Sequence, residues 1–345
     1  MVNSAYTRKF SNINACDVIS VGGKNAILGD MYTKLSSLGI NVPDGFAVTS
    51  FAFENFLTAN VLHQRLHELM RQLDRENFSN LAEIGAASRA LILRGTIPYY
   101  MIVAIREAYD ELCNSEGEQV SVAVRSSASA ENLPMASFVG LHESFLNIDD
   151  ADALLDAIKK CFASLYTDRA IKYREDNHFT HAKLFFSVGV QKMVQSRCGS
   201  SGMIIELDDS GEMLDVSAVK GFCKATVKTT LPDHFLVFKP ALEQGKNPIV
   251  RKRSGRRKEL STQPCNGIPN KEIVLPEFPN YVLTDNEIIA LAKWASIIRE
   301  HYRKAMDIEW AKDGNTGKLY VVRARPRREV ACRTTPLKKW LVASG

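Results

Sequence analysis

Hydrophobic positions in this chain follow a helical period through much of its first half and a two-residue period through much of its second. The changeovers predict its elements. Ala26, Leu28 or Gly29, Met31 and Leu35 recur at helical spacing, predicting an amphipathic helix from the glycines at 22 and 23 to about residue 38, stopped by Gly39. Residues 40–49 read as a turn into a short strand, and Thr49 or Ser50 is placed to cap a helix over 51–73. A charged helical region continues to Cys113, and a polar turn over 114–119 precedes an alternating apolar strand at 120–124. That strand breaks into Arg125-Ser126-Ser127, and a second strand-like run covers 143–148. Residues 151–176 are helical by period, with Leu154, Leu155, Ile158, Cys161, Phe162 and Leu165 on one face.

Strand signals dominate from there on. Residues 185–194 read as a buried strand, and 199–207 pairs with 214–218 around Asp208-Asp209-Ser210-Gly211. Residues 235–238 pair with 249–252, and 306–310 with 318–322 across Asp313-Gly314-Asn315-Thr316-Gly317. A helix over 284–302, capped by Thr284, interrupts the series. The pattern is an α+β (mixed α/β) chain with a break near residue 190 and no internal repeat.

Composition narrows the class. A chain of 345 residues has room for two domains, and 45% hydrophobic with 24% charged residues is ordinary for a globular protein. No apolar run approaches the length of a bilayer span. The first ten residues, MVNSAYTRKF, lack the apolar core of a signal peptide, so the expectation is cytoplasmic. Seven scattered cysteines, never in a CxxC pair, predict reduced thiols rather than a zinc site or disulfide framework. The net charge of +5 is concentrated in RKRSGRRK at 251–258. Such a run can meet nucleic acid, but without interleaved aromatics or a nucleic-acid motif it reads as a solvated hairpin tip.

Candidate chemistry gathers in a few places. The stretch from 121 to 148 is strand, arginine, hydroxyl-rich loop, glycine and strand, which suits a polyphosphate. An arginine at a strand end can equally be structural. Two glycines followed by Lys24 at a helix start suit an anion through free N–H groups, dipole and ammonium together; a surface lysine beside a cap fits the same residues. The GxxxxGK[ST] spacing of a P-loop is absent. His63 and His67 sit one turn apart, but with no third ligand they read as ordinary helix residues. Gln191 is the one polar candidate in its strand, for backbone or for ligand. Glu309 and Arg323 or Arg325 fall on neighbouring strands, either as an ion pair or as a metal ligand beside a phosphate clamp.

In order along the chain, VGGKNAILGDM, VPDGFAVT, AVRSSASAENLP, SFVGLHESFLNI, SLYTDRAIKYR, SVGVQKMV, MDIEWA and GKLYVVRARP resemble one family. They are similar to the ATP-binding domain of phosphoenolpyruvate synthase (pyruvate, water dikinase), whose wider family includes pyruvate phosphate dikinase and rifampin phosphotransferase. The resemblance covers roughly residues 18–328. It implies an ATP-grasp fold, two subdomains closing on a nucleotide cleft, here 1–190 and 191–328 with a tail at 329–345. In that family this domain cleaves ATP and passes a phosphate to a histidine on a separate domain, and a barrel domain moves it to pyruvate. The resemblance implies ATP and Mg²⁺ as cofactors. Lys24 and Arg125 would hold phosphates, Gly140 and Ser144 would line the nucleotide, and Gln191 would sit near it. Asp307 and Glu309 would belong to the magnesium site, and Arg325 would contact the transferring phosphate. Arg125 and Arg325 are therefore the catalytic candidates.

The chain departs from the family where the nucleotide is handled. Arg323 stands where the family has Gln, and a guanidinium has donors only. Gly-Leu-Gly-Glu becomes Gly221-Phe222-Cys223-Lys224, reversing a charge. ENLPM at 131–135 and GLHES at 140–144 replace EDLPD and GQQET, with Ser144 in place of Thr. No phosphohistidine motif and no barrel follow Pro326 in these residues. Two readings remain. One is a phosphotransferase domain that works with a histidine-bearing domain or partner; the other is an impaired nucleotide-binding or partner-binding pseudoenzyme.

Overall fold

The computed structural model describes residues 5–129, 143–177, 185–208, 210–221, 231–255 and 281–327. The chain divides into two compact units, Met1–Lys34 with Pro43–Met193, and Leu35–Val42 with Val194–Gly345.

The first unit is a five-stranded antiparallel sheet with helices on both faces. Its strands are β1 (Thr7–Lys9), β2 (Gly45–Val48), β3 (Val122–Ala128), β4 (Ser144–Ile148) and β5 (Phe186–Lys192), in the order β1-β2-β5-β3-β4. Its helices are α1 (Val18–Lys34), α2 (Ser50–Ala59), α3 (Leu62–Arg71), α4 (Leu81–Arg94), α5 (Tyr99–Glu116), α6 (Ala151–Ser164) and α7 (Asp168–Asp176). Val48, Val122, Val124, Val188 and Val190 pack with Phe53, Phe56, Phe162 and Phe186 in the main core. The phenyl rings stack in tilted pairs, with Phe53 and Phe162 centroids 4.9 Å apart.

Three expectations for this unit need correcting. The helix over 51–73 is two helices. Asn60 ends α2 by donating to the carbonyls of Phe56 and Thr96 and accepting from the Thr96 N–H, and Val61 turns left-handed at φ 52°. The helix over 151–176 likewise divides, because Thr167 leaves the helix and caps α7 through the Ala170 N–H. The third concerns Arg125-Ser126-Ser127, which do not break the strand. β3 runs through them in register with β5, and the small serine side chains tolerate burial on both faces.

The second unit is a six-stranded antiparallel sheet: β6 (Ser200–Glu206), β7 (Met213–Lys220), β8 (Asp233–Phe238), β9 (Ile249–Arg253), β10 (Met306–Lys312) and β11 (Leu319–Pro326). The order is β11-β10-β6-β7-β8-β9. A short helix, α8 (Lys239–Glu243), joins β8 to β9, and α9 (Asp285–Tyr302) covers the sheet. Thr284 caps α9 in a capping box with Glu287, as the sequence predicts. Burial alternates along these strands. Ile204, Val216, Phe235, Ile308 and Trp310 are buried, while Met203, Asp215, Ser217, His234, Asp307 and Glu309 are half-buried.

The described part of the basic run is strand rather than hairpin tip, since Arg251–Arg253 belong to β9 and Lys252 pairs with Asp285. Residues 256–258 lie outside the described residues. Cys16, Cys113 and Cys161 are free thiols. Among the described residues no helix is long and apolar enough to cross a membrane.

Candidate functional site

The β3–β5 register decides what the first unit presents. Ala123 pairs with Gln191, Arg125 with Gly189 and Ser127 with Ser187, so these six positions share one face. The opposite face, through Val122, Val124, Val188 and Val190, enters the core. On its other edge β3 meets β4, with Arg125 opposite Ser144. A register shift precedes that pairing, and Asn147 absorbs it at φ 56°, a conformation asparagine tolerates. Arg125, Ser144 and Gln191, separated widely in sequence, thus lie on adjacent strands of one sheet. Gly140 lies outside the described residues.

Helix α1 docks on this face at close range. Gly22 interrupts the helix at φ 75° and ψ 163°, and a Cβ there would lie 2.3 Å from Ser127 Oγ. The break lets the backbone N–H groups of Lys24 and Asn25 donate to Ser127 Oγ at 3.2 and 3.4 Å. The Lys24 ammonium donates to the Ser126 carbonyl at 2.9 Å. Asn25, almost fully buried, bonds Val21 O and Ser187 Oγ, and its amide fills the space a Cβ on Gly189 would take. The helix start is therefore not a set of free N–H groups, as the sequence suggests; Ser127 caps two of them from another strand. Lys24 is half-buried, and its ammonium meets the carbonyl of Ser126, the residue that follows Arg125. Ser127, Asn25 and Gly189 position the start of α1 against β3 and β5. Sequence reasoning passed them over, and only the Gly-Gly-Lys-Asn order hinted at Asn25.

Gln191 is buried, and its amide donates to the Pro43 carbonyl at 3.4 Å. His63 pairs with Glu54 at 2.9 Å and makes an ordinary surface contact.

In the second unit, β10 and β11 bring Asp307 opposite Arg325 and Glu309 opposite Arg323. Arg323 Nη1 donates to Glu309 Oε1 at 2.8 Å. Arg325 donates to Asp307 Oδ2 through Nε at 3.2 Å and reaches the same oxygen with Nη2 at 3.0 Å. A β-bulge falls just after Glu309, the kind of irregularity that re-aims side chains. Cross-strand pairs of opposite charge contribute about 0.2–1 kcal/mol each. On the same face His234 Nδ1 lies 2.9 Å from Asp215.

Asp307 and Glu309 do not fit a magnesium ion as they stand. Mg²⁺ needs about six oxygen ligands in near-octahedral array. Both carboxylates are already held by guanidinium groups, and among the described residues no cluster of three or more His, Cys, Asp or Glu is placed to hold a metal. Phe222, Cys223 and Lys224, like Asn132, Met135, Leu141 and His142, lie outside the described residues.

Residues 18–339 match the family described as pyruvate phosphate dikinase, AMP/ATP-binding domain. The chain is 42% identical over 335 residues to a phosphoenolpyruvate synthase of Synechocystis sp., covering 92% of this chain and 41% of that protein. It is 41% identical over 326 residues to the phosphoenolpyruvate synthase of Escherichia coli, again covering 92% of this chain and 41% of the relative. A probable phosphoenolpyruvate synthase of Methanocaldococcus jannaschii is 36% identical over 315 residues, 90% of this chain and 26% of the relative. The chain thus spans about two fifths of the first two relatives.

Proposed function

Because the chain belongs to the pyruvate phosphate dikinase AMP/ATP-binding domain family, with an α+β fold of ATP-grasp type, we propose that it is the nucleotide-binding part of a phosphoenolpyruvate-synthase-like phosphotransferase. In this reading Lys24 and Arg125 hold the ATP phosphates, Gly140, Ser144 and Gln191 line the nucleotide, and Arg325 meets the transferring phosphoryl group. The acceptor is a histidine on a separate domain or partner protein. Phosphoryl transfer asks the protein mainly for positioning and fixed positive charge, which lysine and arginine supply.

The observation that carries this reading is the docking of α1 on β3, where the Lys24 ammonium donates to the carbonyl of Ser126, the residue that follows Arg125. Two hydrogen bonds from Lys24, a third from Asn25 and a glycine at positive φ hold this lysine in place, more than a solvated surface cation needs. The test is transfer of label from [β-³²P]ATP to a histidine-bearing domain taken from a phosphoenolpyruvate synthase. Acid-labile, base-stable label on that domain is the expected result. ATP binding with no label transferred would reduce the proposal to nucleotide binding alone.

A second reading, a domain that binds nucleotide but transfers phosphate poorly, is favoured by one feature. Asp307 and Glu309, the expected magnesium ligands, are both engaged by arginines.

A further inference from the structure

Glu309 has no route to a metal on either side. Toward β11 its carboxylate meets Arg323 at 2.8 Å. Toward β6 its register partner is Met203, whose thioether is a soft donor that magnesium does not select. The next carboxylate on that face, Asp215, is held by His234 at 2.9 Å, and Asp307 is held by Arg325. A dication entering here would have to displace a permanently charged guanidinium from both Asp307 and Glu309, or sit beside it against like charge.

Arg323 also retains capacity. A guanidinium carries five N–H donors, and Arg323 spends one, at Nη1, on Glu309. Its Nε is buried and makes no hydrogen bond among the described residues, so any further donor must come from the guanidinium's Nη groups on a side chain that is 27% exposed. The group therefore neutralises Glu309, as a metal would, and leaves Nη N–H groups for phosphate oxygens. We propose that Arg323 is a resident counter-cation, so that this chain takes a nucleotide polyphosphate free of divalent metal. The proposal rests on the reading of the chain as a nucleotide-binding unit. Its chemistry follows from charge: metal-free ATP carries two more negative charges than its magnesium complex, and fixed arginines attract it more strongly.

Two titrations on the full chain test this. In the first, Mn²⁺ is added without nucleotide and free Mn²⁺ is read by electron paramagnetic resonance. Wild type is expected to show no site that depends on Glu309. Arg323→Gln is expected to gain one at least about tenfold tighter than any wild-type binding, lost again in the Arg323→Gln/Glu309→Gln double variant. A wild-type Mn²⁺ site abolished by Glu309→Gln overturns the proposal even if Arg323→Gln does not fold. The second titration is calorimetry with ATP in EDTA and in excess Mg²⁺. Binding in EDTA equal to or tighter than that in Mg²⁺ supports the proposal; tightening of about tenfold or more on adding Mg²⁺ overturns it. ATP binding under neither condition sinks the nucleotide-binding reading itself, and the claim that Glu309 holds no metal is then decided by the Mn²⁺ titration.

Discussion

The ammonium of Lys24 lies 2.9 Å from the carbonyl oxygen of Ser126, 102 residues further along the chain. That bond ties the start of α1 to the centre of the first sheet, at the residue that follows Arg125. A lysine placed this way acts on a ligand through its charge. Lys24→Met removes the charge and keeps most of the apolar stem. Losing a charge-assisted hydrogen bond of about 1.5–3 kcal/mol should weaken ATP binding by about 10- to 100-fold. Calorimetry checks the affinity and circular dichroism checks that the fold persists. A change under about threefold would remove Lys24 from the phosphate site.

Gly22 makes that docking possible. At φ 75° it occupies backbone space that residues with a Cβ rarely enter, and an added Cβ would lie 2.5 Å from the Ser127 carbonyl oxygen. Gly22→Ala should therefore destabilise the protein by about 2–4 kcal/mol, read as a lower urea midpoint. Trimming the hydroxyl with Ser127→Gly should not restore it, because the obstructing carbonyl belongs to the main chain. Restoration would show that the side chain alone sets the approach.

The second-unit sheet was readable in advance because one of its faces meets α9 and the other is half-open, leaving a clean period of two. The turn between β10 and β11 sets Glu309 on the strand next to Arg323 or Arg325, and the register makes Arg323 its partner. Residues whose surroundings are set by distant chain were harder. Arg125-Ser126-Ser127 looked like a loop because small polar residues rarely fill a strand buried on both faces. β5 and α1 make it one, and neither is visible locally. Asn60 ends α2, and Thr167 begins α7 just after α6 stops at Ser164, where periodicity alone would continue one helix. Ser127 reads as one more loop hydroxyl, though it caps the N–H groups of Lys24 and Asn25, 103 and 102 residues earlier in the chain.

The turn between β10 and β11 gives stability that depends on pH. The carboxylate of Asp313 accepts the N–H groups of Gln195, Asn315 and Thr316 and the Thr316 hydroxyl. Burial, the largest single influence, raises its pKa, but the four donors together outweigh burial and hold it below the usual aspartate range. A depressed pKa means the folded state prefers the ionised form. The stabilisation is therefore complete above the unfolded aspartate value of about 3.9 and disappears as pH falls through the lowered folded value. Asp313→Asn should lower the melting temperature at neutral pH, with a cost near 1 kcal/mol as for a lost cap. The gap between variant and wild type should narrow as pH drops below about 4. Fluorescence of the buried Trp310 on β10 follows the transition. A gap independent of pH would assign the effect to packing rather than charge.

Glu206 is the severest electrostatic commitment among the described residues of the second unit. Only 3% exposed on β6, it accepts a hydrogen bond from Arg299 on α9 and sits 3.7 Å from the Lys239 ammonium on α8. Burial pushes the Lys239 pKa down, and Arg299 lowers it further, while Glu206 pulls it back up. The three charges depend on one another. Arg299→Met leaves a buried carboxylate with a single, longer partner and should cost about 3–5 kcal/mol. Replacing the carboxylate as well, in Glu206→Gln/Arg299→Met, removes the stranded charge, so the double variant should be more stable than the arginine variant alone. Urea denaturation of the two single variants and the double closes the cycle. A double variant as unstable as the sum of the singles would mean that Arg299 holds α9 by packing, and that its pairing with Glu206 contributes little.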